Sequence, residues 1–113
     1  MHVTITGRHY EVPEAMRHYV EEKAPRLLKY FPRLLDLHVT LSLEKFRATV
    51  ELVAVAGHLK VSAKAQGHTM QEAFDTTYAK LAEQLRREHD KRRGAAHRGE
   101  TVAAPVPAEE PGE

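Results

Sequence analysis

Cysteine is absent from the 113 residues. That removes disulfides, thiolate metal sites and cysteine nucleophiles together, and it fits a reducing compartment, so a cytoplasmic location is expected. No apolar run approaches the ~20 residues that span a bilayer. The first residues lack a basic-then-apolar leader, so the chain is expected to be mature as written, with no membrane partner. Motifs of common chemistries are missing too: there is no HExxH, GxSxG, GxxxxGK[ST] or GxGxxG. Eight histidines are scattered along the chain, and no two sit at metal-binding helical spacing beside a carboxylate. His9 follows the first strand in a Gly7-Arg8-His9 loop, but no acid or nucleophile accompanies it. Neither metal, cofactor, small-molecule substrate nor enzymatic activity is expected.

What is present fits one domain of ordinary composition, 42% apolar and 29% charged. The formal net charge of +1 conceals an asymmetry. Residues 1–93 carry 16 Lys and Arg against 12 Asp and Glu, a net of +4. Residues 94–113 hold Arg98 against Glu100, Glu109, Glu110 and Glu113. That stretch is rich in Ala, Pro, Gly and Glu, with no aromatic residue, and is expected to be a disordered acidic tail. A basic body suggests a polyanionic partner.

Hydrophobic spacing places the elements. Val3 and Ile5 alternate with polar neighbours, as in a half-buried strand. From Pro13 to Phe31 the period becomes helical, with Met16, Val20, Lys23, Ala24, Leu27 and Phe31 on one side and a kink expected at Pro25. Alternation returns through Leu37, Val39, Leu41 and Leu43, then Ala48 to Ala54, then Leu59 to Ala65. Glu44-Lys45-Phe46-Arg47 and Ala56-Gly57 supply the turns. Thr69-Met70-Gln71-Glu72 reads as a capping box opening a second helix, whose apolar face runs from Met70 through Phe74, Thr77, Tyr78 and Leu81 to Leu85 and which fades near Arg93. The expected class is α+β, β-α-β-β-β-α, with both helices on one face of a four-stranded sheet, like a double-stranded-RNA-binding domain.

The open sheet face lacks the aromatics on which sheet-type RNA binders stack bases. The helices are better placed. At ~100° per residue, Lys80, Gln84, Arg87 and Lys91 form one band along the second helix, and Arg86, Arg92 and Arg93 extend its charge. Tyr19, Lys23, Arg26 and Tyr30 form a band on the first, with Lys29 and Arg33 nearby. The two bands are expected to border one basic surface suited to phosphates. The same pattern also fits a solvated face that Glu83, Glu88 and Asp90 partly neutralise through i,i+3 and i,i+4 pairs.

The segments ITGRH, YVEEK and LEK, and the run AFDTTYAKLAEQLRR, resemble in order and spacing the ribosome hibernation-promoting factor and ribosome-associated inhibitor A family. The resemblance covers residues 1–93. It implies a non-catalytic stress and stationary-phase protein that inhibits translation. Such a protein binds the small ribosomal subunit, its 16S rRNA and neighbouring ribosomal proteins, in the mRNA and tRNA channel, and preserves idle ribosomes. Carried over, the RNA contacts are Lys23, Arg26, Lys29, Arg33, Lys80, Arg86, Arg87, Lys91 and Arg92, with Arg8 and His9 of the GRH turn. The chain departs from the family pattern at Phe46, where a turn residue such as Asn is usual, and at Pro25. It looks like a short form without the second domain of long members. The alternative function is a protein-interaction regulator, for instance of a sigma factor, using the same charged surface.

Overall fold

The computed structural model describes residues 1–97, with side chains described as far as Lys91. Four strands, β1 (His2–Arg8), β2 (Asp36–Glu44), β3 (Arg47–Ala56) and β4 (Leu59–Gly67), form one sheet in the order β1-β2-β3-β4. β1 pairs parallel with β2 across the crossover that contains α1 (Glu14–Lys23), and the other pairs are antiparallel. The register aligns Ile5, Val39, Leu52 and Ala63 in one row across all four strands. Because strand side chains alternate in direction, this row and its neighbours make one apolar face. Met16 and Val20 of α1 and Phe74, Leu81 and Leu85 of α2 (Met70–His97) join that face in a single core. The class is α+β, a mixed four-stranded sheet with two helices.

Both hairpins close with two residues. Gly57-His58 joins β3 to β4, and Gly57 holds a φ of +62° that only glycine adopts freely. Lys45-Phe46 joins β2 to β3, and there Lys45 takes a φ of +54°. The loop is therefore short and exposes the aromatic, and Leu43 at the strand end is exposed as well. Gly7 has a different role: a Cβ there would lie 2.1 Å from the Tyr10 carbonyl oxygen, so the tight loop after β1 admits no side chain.

Three local expectations are corrected. The first helix does not run to Phe31; α geometry stops at Lys23 and a 3-10 segment, Ala24–Lys29, follows. Pro25 is the cause, since it has no N–H to donate and its ring collides with the carbonyl four residues back. At the start of α2, Thr69 Oγ1 accepts from the Glu72 amide at 3.1 Å, but the Glu72 carboxylate takes the His68 amide at 2.9 Å instead of that of Thr69. α2 also continues to His97, past the fading expected at Arg93. The remainder of the expected acidic tail, residues 98–113, lies outside the described residues.

Candidate nucleic-acid interface

The helix layer carries most of the cations, and each is placed by its element. In the 3-10 segment, side chains three apart eclipse one another. Ala24 and Leu27 are therefore both buried, while Arg26 and Lys29 stand together on the outside. Arg33 is exposed in the turn that follows. Among the described residues, Arg26, Lys29 and Arg33 make no ion pair.

Lys23 is held differently. Its Nζ lies 3.6 Å from the Asp75 carboxylate, 4.9 Å from the centre of the Tyr78 ring and 5.5 Å from that of Tyr19. The Tyr19 hydroxyl donates to the same Asp75 oxygen at 2.5 Å, and the Tyr19 ring meets Phe74 edge-on. This cation stitches α1 to α2. The hydrogen bond to Asp75, then burial, raises the Tyr19 pKa above 10.0, and burial raises that of Tyr78.

On α2 the cations are shared with carboxylates. Arg86 reaches Glu83 at 2.6 Å and Asp90 at 3.2 Å, Arg87 reaches Glu83 at 3.5 Å, and Lys91 reaches Glu88 at 3.6 Å. The hydrogen bond from Arg86 holds the Glu83 carboxyl below its ordinary value of 4.5. Glu83 thus remains an anion at neutral pH and competes with any phosphate for two arginines. All these groups are solvent-exposed to about half or more except Glu88, so the pairs are screened and exchangeable. The side chain of Arg92 lies outside the described residues.

The two bands do not border a single surface. Asp75 and Tyr78 face α1, whereas Lys80 and Gln84 turn to the opposite flank of α2 and donate to the Lys64 and Ser62 carbonyls of β4, at 3.4 and 3.1 Å. The basic surface therefore wraps around the helix layer. Glu83 and Asp90 lie along α2 between its two sides. Arg8 and His9 are apart from this set, at the end of β1, where they border a polar hollow on the open sheet face with Ser42 and Glu51. Sequence reasoning passed over Lys45 and Arg47, which flank the exposed Phe46 at the β2–β3 turn. Their signal was a Lys-Phe-Arg triplet in a two-residue turn. Among the described residues, no group of three or more His, Asp or Glu is placed to hold a metal, and no helix is long and apolar enough to cross a membrane.

Comparison with known proteins matches residues 3–93 to the family described as Sigma 54 modulation protein / S30EA ribosomal protein. The chain is 35% identical over 91 residues to the ribosome hibernation promoting factor of Escherichia coli K12, covering 80% of this chain and 96% of that one. It is 32% identical over 107 residues to the ribosome hibernation promoting factor of Azotobacter vinelandii, covering 95% of this chain and all of the other. Among solved structures, the N-terminal domain of Thermus thermophilus Protein Y superposes with a TM-score of 0.71 at 30% identity, over 77% of this chain and 98% of that one. A ribosomal subunit interface protein of Coxiella burnetii shares the fold, with a TM-score of 0.68 at 20% identity over 83% of this chain and 99% of the other.

Proposed function

The chain belongs to the Sigma 54 modulation protein / S30EA ribosomal protein family, and on that premise we propose that it is a ribosome-associated hibernation factor. In this reading it docks by its helix layer on RNA of the small subunit, in the channel used by mRNA and tRNA. Occupying that channel blocks translation and keeps the idle particle intact. The observation that carries the reading is the set of exposed cations on and after the 3-10 segment, Arg26, Lys29 and Arg33, which make no ion pair among the described residues. Phosphates can reach them without first displacing a carboxylate. Lys80 lies on the far flank of α2, and Arg86, Arg87 and Lys91 would exchange their exposed carboxylate partners for phosphates on docking. Lys23 acts as a positioning residue that fixes α1 against α2.

The test is sedimentation with purified small subunits at low salt. Wild-type protein is expected to travel with them, and the Arg26→Glu, Lys29→Glu, Arg33→Glu triple variant is expected to remain in the supernatant with unchanged circular dichroism. A triple variant that pellets like wild type refutes this interface. Wild-type protein that ignores subunits, yet holds a protein partner at high salt without RNA, replaces the whole reading with that of a protein-interaction regulator.

A further inference from the structure

Phe31 and Phe74 are 4% and 0% exposed, whereas Phe46 is 94% exposed. It sits at the β2–β3 tip between Lys45 and Arg47, above an open cleft bordered by Leu43, His9, His68 and Gln66. In the sheet ladder Glu44 stands opposite Arg47 across the turn, and the Arg47 guanidinium donates to the Gln66 side-chain oxygen at 2.9 Å. Among the described residues, neither Lys45 nor Arg47 makes an ion pair. Two carboxylates, Glu44 and Glu72, also border the cleft, and Glu72 is engaged by the His68 amide.

We propose that this tip is a separate contact for single-stranded RNA, in which Phe46 stacks on an unpaired base while Lys45 and Arg47 hold the phosphates on either side. Every base offers a π-face, and stacking on an aromatic side chain beside cations is a general mode of single-strand binding. The exposed apolar surface here is one ring and part of Leu43. A lone ring between two cations is small for the apolar centre of a protein interface, but it suffices to stack a base. The contact lies at the β2–β3 turn, on elements other than those that carry Arg26, Lys29 and Arg33. It adjoins the start of α2, and Lys91 lies 21 residues beyond Met70, roughly 30 Å along the helix.

The chain has no tryptophan, so Phe46→Trp installs a single fluorescent reporter where nothing packs. Titration with a 12-nucleotide oligoadenylate at low salt is expected to quench its emission to saturation, and an RNA duplex of equal length is expected to quench it less. Followed by anisotropy of a labelled oligonucleotide, Phe46→Ala is expected to bind roughly tenfold more weakly or worse, with Phe46→Tyr near wild type. Quenching is expected to persist in the Arg26→Glu, Lys29→Glu, Arg33→Glu background, which separates this contact from the proposed ribosome interface. Unchanged emission, no anisotropy rise at low salt, wild-type affinity in Phe46→Ala, or loss of quenching in the charge-reversed background would each overturn the proposal. Quenching by small subunits but by no RNA would overturn it too, and would assign the tip to a protein partner.

Discussion

Lys23 illustrates how a cation that looks free on a helical projection is claimed by its neighbours. Asp75, Tyr19 and Tyr78 surround it; Tyr19 is its neighbour one turn back on α1, and the packing of α1 on α2 brings Asp75 and Tyr78. The seam has a pH signature. Folding raises the Tyr19 pKa above 10.0, so the fold favours the neutral phenol. Its contribution is fully present below pH ~10 and is lost as pH rises through the higher folded value, where a phenolate would face Asp75. Melting temperature is expected to fall on the alkaline side of pH ~10 in wild type and less steeply in Tyr19→Phe. That variant should itself lose about 1 kcal/mol at neutral pH, less any screening at this part-exposed site. Equal alkaline slopes in the two proteins, by thermal denaturation with phenolate absorbance, would remove Tyr19 from the seam. The Lys23 pairing was illegible in sequence because Asp75 stands 52 positions away.

At the scale of elements, alternation located β2, β3 and β4 well because one face of each is more deeply buried than the other, and it located β1 from Val3 and Ile5 although both are only half-buried. The first helix was harder. Its apolar spacing to Phe31 reads as helical throughout, yet Pro25 tightens the chain into the 3-10 segment, where Arg26 and Lys29 eclipse. Restoring α geometry would rotate those two about 60° apart. Pro25→Ala is therefore expected to increase helical circular dichroism and to weaken association with small subunits, with the fold retained. An unchanged spectrum alongside unchanged sedimentation would show that the segment's pitch does not matter to docking. The second helix has a further task. Lys80 and Gln84 donate to carbonyls of the edge strand β4, so part of this basic band is occupied in covering an edge that could otherwise pair with another chain.

For the whole molecule the decisive quantity is how many phosphates are neutralised at once. Each contact contributes ~0.7–0.9 to the slope of log affinity against log salt. Neutralising Arg26, Lys29 and Arg33 together as alanines, which leaves the other cations to bind at low salt, is therefore expected to reduce the slope by about 2–3, measured by sedimentation across a salt series. A slope unchanged in that alanine variant would place the phosphates elsewhere. The sequence by itself determined the element order, the class and the inventory of cations, because alternation, helical period and charge are local properties of the chain. Only the tertiary structure decided which cations stay free. A helical projection shows which residues share a flank. It does not show which flank meets α1 and which meets the β4 edge, and that choice placed Lys23 in the seam and left Arg26, Lys29 and Arg33 open to solvent.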